Sequence, residues 1–187
     1  MNSRVLVTVG PALALLLSAG CASTAPKAQF AHEIVAESRI SSPDSVQVNV
    51  GAPEGVQILP WERDRLGQKI KGRIDAQKIS HPRDGEGRAF EVDLQLSRYD
   101  KGNSFARAML AGLGQMHIDG RVSVYQSPEH SLVGEFDLAK TFAWGGIYGA
   151  STSIEDIEVA FADGIADAVT GHSSTPSTGH ASTASRH

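Results

Sequence analysis

Few residues in this chain combine a reactive type with a spacing that could do chemistry. The single cysteine is Cys21, so an internal disulfide is excluded and all thiol chemistry would fall to one sulfur. Gly149-Ala150-Ser151-Thr152-Ser153 approaches the Gly-x-Ser-x-Gly turn of a serine hydrolase but lacks the last glycine. His-x-x-x-His and Cys-x-x-Cys metal spacings are absent. His117 and Asp119 alternate onto one strand face and would need further ligands from elsewhere, so they read as an exposed polar face. Gly112-Leu113-Gly114 precedes a strand instead of opening a helix, which makes it a tight turn and not a phosphate loop. Glu155, Asp156 and Glu158 sit near a helix amino end, where the helix dipole favours negative charge without any catalytic role. No catalytic set, metal site or cofactor site is expected.

Two features invite a binding reading. Arg107, on a short helix over Phe105 to Ala111, is a candidate contact for an anionic group, with a structural ion pair as the alternative. Phe142-Ala143-Trp144-Gly145-Gly146-Ile147-Tyr148-Gly149 reads as a glycine-rich loop carrying three aromatics. Trp and Tyr are favoured interface anchors, so Phe142, Trp144 and Tyr148 are candidate partner contacts. The alternative is that Phe142 and Trp144 fold back to cap the sheet.

The elements that must position these residues follow from hydrophobic period. Glu33 to Val50 has strand character, interrupted by Ser41-Ser42-Pro43-Asp44. Trp61 to Ile79 reads as a helix opened by Pro60, with Leu66, Ile70 and Ile74 as its apolar stripe. Its charged residues, Arg65 and Lys69 among them, are expected to face water. Three alternating strands follow, around Val92 to Ser97, Met116 to Tyr125 and Leu132 to Leu138. The last two are joined through Ser127-Pro128-Glu129-His130, short enough for a hairpin. Thr152 with Glu155 and Ser153 with Asp156 are overlapping capping-box patterns that open a final helix bearing Ile154, Ile157, Phe161, Ile165 and Ala168. The expected class is α+β: a mixed, mainly antiparallel sheet of about four strands, with two helices on one face, in β-α-β-β-β-α order.

The amino terminus reads as an export signal. Arg4 is followed by a nearly continuous apolar run from Val5 to Leu17, about 13 residues, where a spanning helix needs roughly 20. Leu17-Ser18-Ala19-Gly20-Cys21 resembles a lipobox, with Ser18 where an aliphatic residue is usual. A signal peptide over residues 1–20 and lipidation of Cys21 are therefore expected, the alternative being an ordinary signal with a free thiol left behind. Several acyl chains at roughly 0.8 kcal/mol per buried methylene would anchor the chain without a spanning helix. By resemblance to lipoprotein sorting in two-membrane bacteria, Ala22 after the cysteine implies the outer membrane, with the domain in the periplasm.

Residues 21–32 read as a tether, 33–170 as one domain and 171–187 as a disordered Ser/Thr/His tail. His172, His180 and His187 in that tail read as polar spacing, not as ligands. The formal net charge of −4 offers no basic face for nucleic acid and no polybasic patch for anionic lipid.

Ser97 to Gly114, followed by a long alternating strand, a hairpin, a glycine-rich segment and a terminal helix, resembles the bacterial lipoproteins grouped as the domain of unknown function DUF4410. Gly102, Asn103 and Arg107 match a Gly-Asn/Ser-x-x-x-Arg element, and Gly112 and Gly114 a Gly-x-Gly turn; the resemblance spans roughly Ile34 to Val169. It implies a small α/β lipoprotein domain and brings no known activity. The reading is a non-enzymatic envelope lipoprotein that binds a protein partner, with a small-ligand or glycan-binding module as the alternative.

Overall fold

The computed structural model describes residues 26–109, 113–143 and 151–172. Its strands are β1 (Gln29–His32), β2 (Ser45–Gly51), β3 (Ala89–Asp100), β4 (Met116–Gln126) and β5 (Ser131–Phe142). Its α-helices are α1 (Pro60–Lys78), α2 (Ser104–Met109) and α3 (Ile154–Thr170), with one 3-10 turn at Ala36–Ser38. The strands make one sheet in the order β1-β5-β4-β3-β2. β2 lies parallel to β3 because α1 carries the chain back between them, and every other pairing is antiparallel.

The expected α+β class is what forms. Strand alternation places Phe90, Val92, Leu94 and Leu96 of β3, Ile118, Val122 and Val124 of β4, and Phe136 and Leu138 of β5 on one buried face. Leu66, Ile70 and Ile74 of α1 and Ile157, Phe161, Ile165 and Val169 of α3 close over that face. At about 25 cal/mol per Å² of apolar surface, this continuous layer dominates the stabilisation of the fold.

Three details depart from the expectation. Gln29–His32, inside the stretch read as a tether, adds a fifth strand antiparallel to β5. The strand expected over Glu33 to Val50 is regular only over Ser45–Gly51, because Ser41–Asp44 turns the chain and buries the Asp44 carboxylate. Of the two capping patterns, Ser153 with Asp156 is the one that closes: Asp156 Oδ2 accepts from Ser153 N–H at 2.8 Å. The helix ends at Gly171, whose φ of 74° suits glycine.

Candidate functional site

β3, β4 and β5 end together near α2 and the first turns of α1 and α3. The residues that resemble the family motif tie this end shut. Asn103 Oδ1 caps α2 by accepting from Ala106 N–H at 3.0 Å, and Asp100 Oδ1 accepts from Gly102 N–H at 2.9 Å. Gly102 and Gly114 both have positive φ, 61° and 70°, and a Cβ on Gly102 would run into the Gly114 and Gln115 carbonyls. The Arg107 guanidinium is buried and donates to Gly114 O at 2.9 Å, Thr152 O at 3.2 Å and Lys101 O at 3.3 Å. These donors join the loop before α2, the turn after it and the start of α3. The chemistry of Arg107 here is that of a carbonyl clasp.

A buried ionic network lies between the two long helices and β3. Glu158 of α3 is fully buried. Its Oε1 accepts from Arg65 Nη2 at 2.8 Å and from the Tyr99 hydroxyl at 2.8 Å. Its Oε2 accepts from Lys69 Nζ at 2.8 Å and Arg65 Nε at 3.0 Å. Arg65 and Lys69, expected to face water, instead reach across to α3, since an unpaired carboxylate there would be costly. Burial beside Glu158 holds the Tyr99 hydroxyl protonated well above its usual range. Glu62 is buried too: burial opposes its charge, but Lys101 and the Leu59 N–H keep its carboxyl below the usual range. The Arg65 guanidinium also stacks 4.9 Å from the Trp61 ring centre.

Outside this network the surface turns apolar. Leu59, Trp61, Phe105, Met109 and Leu113 all belong to this end, with Phe105 73% and Met109 67% exposed. Phe105 and Met109 stand four residues apart and so share one face of α2.

The second region is the open face of the sheet. In-register pairing lines up Gln29, Asp137, Arg121, Gln95 and Gly51 in one row across all five strands. Arg121 meets Asp137 as a two-pronged pair, Nε to Oδ1 at 2.9 Å and Nη2 to Oδ2 at 3.1 Å. A groove of about 670 Å³ runs over this row, lined also by Ser97, Asp119 and Pro53. His117 and Asp119 lie on this face, with His117 Nδ1 3.0 Å from Thr141 Oγ1. Burial, then the nearby Arg98 charge, hold the His117 ring below its usual pKa. Among the described residues no group of three His, Cys, Asp or Glu is placed to hold a metal ion.

The aromatic segment singled out from the sequence divides. Phe142 is the last residue of β5, pairs with Met116 and is buried in the core, so it caps the sheet and presents no contact surface. Trp144 and Tyr148 lie outside the described residues, as do Cys21 and Gly112. The Glu158 network escaped the sequence reading. A signal existed, because Glu158 stands four residues after Ile154 and four before Ala162, in line with the buried stripe.

A two-layer α+β domain with one open sheet face is the class this geometry defines. The chain belongs to the family described as domain of unknown function (DUF4410), whose model matches residues 51–146. That match contains α2 with Arg107, Lys101 and Gly114 of the clasp, and lies within the wider span the resemblance suggested. The fold is similar to PelC from Paraburkholderia phytofirmans, a dodecamer, at 8% identity and a TM-score of 0.50, covering 78% of this chain and 97% of that one. A point variant of the same PelC, also a dodecamer, matches at 8% identity and a TM-score of 0.52, covering 79% and 99%. A Xanthomonas campestris protein of the family DUF330 matches at 11% identity and a TM-score of 0.44, covering 78% and 91%. No curated protein matches the sequence.

Proposed function

We propose that this chain is a lipid-anchored envelope domain that works by binding a protein partner and not by turnover. The observation that carries the reading is the open sheet face, a broad polar surface that the described residues leave uncovered. Small-molecule sites enclose most of their ligand. This groove is shallow, and its central Arg121–Asp137 pair is more than half exposed on both sides. Such a surface suits a protein contact in which an arginine is desolvated on binding.

The absence of turnover is proposed because the strongest ionic groups already have structural work. Glu158 is held by Arg65, Lys69 and Tyr99, and Asp44 by Arg83 and Arg88. Anchoring through Cys21 is supported by the lipobox-like run before it, and no helix among the described residues is long and apolar enough to cross a membrane. The outer membrane is the proposed location on the strength of Ala22. The PelC proteins of like fold are dodecamers, so copies of this chain belong among the partners to test.

The test is co-purification from crosslinked membranes with Arg121→Ala beside the parent chain. The reading expects a partner that is lost with Arg121→Ala; an unchanged set of partners removes the sheet face from the account. A second reading, a glycan or small polar ligand in the same groove, is favoured by its two amides, Gln29 and Gln95, beside Ser97 and Asp119. Calorimetric titration with envelope glycans separates the two, since a flat response excludes the ligand reading for those glycans. Trp144→Ala tests the aromatic loop independently, with weakened partner recovery expected if it contributes.

A further inference from the structure

We propose that the α2 end of the domain is a membrane-docking face, on which Leu59, Trp61, Phe105, Met109 and Leu113 rest at the lipid–water boundary beside the anchor. The inference rests on the proposed lipidation of Cys21 and adds an orientation to it.

The path of the chain leads there. β5 runs from the hairpin to the α2 end, finishing at Phe142, and β1 pairs with it antiparallel. The chain before Gln29 therefore heads back towards the α2 end. Pro26 lies on α3 at Gly164, where a side chain would strike the proline ring at 2.6 Å from Cγ. From Gly164 to Ile154 at the start of α3 is ten residues, about 15 Å at 1.5 Å each. Cys21 stands five positions before Pro26, and an extended chain covers up to about 17 Å over five steps. The lipidated sulfur can thus reach the level of the α2 end but not extend far beyond it. A bilayer holding the acyl chains would meet this end of the domain directly.

The surface suits that neighbour. Trp61 carries an apolar ring with a polar N–H, the combination enriched at membrane interfaces, and Arg65 stacks against it. Phe105 and Met109 project from one face of α2, and Leu113 follows. The charges around them are mixed: Lys101 is paired with Glu62, and Arg98 with Asp100. Docking should therefore depend on apolar contact and be indifferent to lipid charge. The opposite end exposes Val35, Ile79 and Leu132 as well, but it also carries Arg83, Asp84, Glu86, Arg88 and Glu129, and the chain before Gln29 leads away from it.

The chain has two tryptophans, so Trp144→Phe leaves Trp61 as the sole reporter. The acylated full-length variant, extracted from membranes, is reconstituted into phosphatidylethanolamine–phosphatidylglycerol vesicles containing an acyl-brominated lipid. The expected result is that the protein floats with the vesicles and Trp61 loses most of its emission to bromine quenching. The same loss is expected in vesicles of neutral phosphatidylcholine. Adding Phe105→Asp and Met109→Asp should leave flotation intact and restore the emission. A protein that floats with unquenched Trp61, or whose quenching ignores the two aspartates, overturns the docking face while the anchor stands; the apolar end then passes to a protein partner. A protein that does not float overturns the anchor and the docking face together.

Discussion

The two ends of the sheet bury charge in the same way and finish differently. At the hairpin end, Asp44 is buried and accepts from Ser41 N–H at 3.1 Å, Arg88 N–H at 2.9 Å, Arg88 Nη2 at 2.8 Å and Arg83 Nη2 at 3.1 Å. Arg88 also donates onward to the Arg39 carbonyl at 2.8 Å, so the latch extends into the charged surface around it. At the α2 end, Glu158 is gripped as firmly, yet outside its network Leu59, Trp61, Phe105, Met109 and Leu113 stand open to solvent among paired charges. A buried ion pair contributes little net stability against an apolar replacement, but breaking it from one side costs much. Both networks therefore fix geometry, one to close an end and the other to hold a Trp61-bearing helix against α3.

Removing Glu158 should have the largest effect. Glu158→Ala leaves Arg65, Lys69 and Tyr99 without their common acceptor and is expected to cost about 3–5 kcal/mol, read as a lowered denaturation midpoint. An unchanged midpoint would make the α1–α3 network ornamental. Asp44→Asn should cost less, about 2–3 kcal/mol, because the asparagine amide keeps an oxygen that can accept from Arg88, whereas alanine at position 158 keeps none.

The same latch sets a pH dependence. Burial alone would raise the Asp44 pKa, but the side-chain and backbone bonds from Arg88, with Ser41 and Arg83, outweigh it and hold the carboxyl far below its ordinary range. A group whose folded pKa is depressed stabilises the fold above its unfolded value, near 4, and loses that stabilisation as pH falls. Stability should decline below about pH 4, and Asp44→Asn should flatten the decline. An unflattened acid limb in urea titrations at several pH values would reassign it to other carboxylates.

Substitutions at the exposed residues should barely move stability. Phe105→Asp with Met109→Asp is expected to stay within about 0.5 kcal/mol per site while relieving the quenching of Trp61 in brominated vesicles. Arg121→Ala should leave the melting temperature where it was and reduce partner recovery. A large loss of stability in either case would show that these faces are structural.

Much of the fold was legible because period and punctuation agree in it. Val92, Leu94 and Leu96 alternate, Pro60 opens α1, and Ser153 with Asp156 opens α3, each local preference matching the final element. β1 was not, because Gln29-Phe30-Ala31-His32 has no buried side and is held only by pairing with β5. The site was less readable for a related reason. Arg65 and Lys69 look like any solvated helix face until α3 is placed beside them. The row from Gln29 to Gly51 exists only in the register of five strands. Arg107 was visible as a special residue, but the carbonyls it holds come from three separate segments.

The central claim, a domain held at a membrane by lipid on Cys21, is tested most directly by mass spectrometry of the amino-terminal peptide from membrane-fractionated native protein. The account predicts a peptide that begins at acylated Cys21 and is recovered with the outer-membrane fraction. An unmodified amino terminus recovered in the soluble fraction would contradict it and return Cys21 to the status of a free thiol.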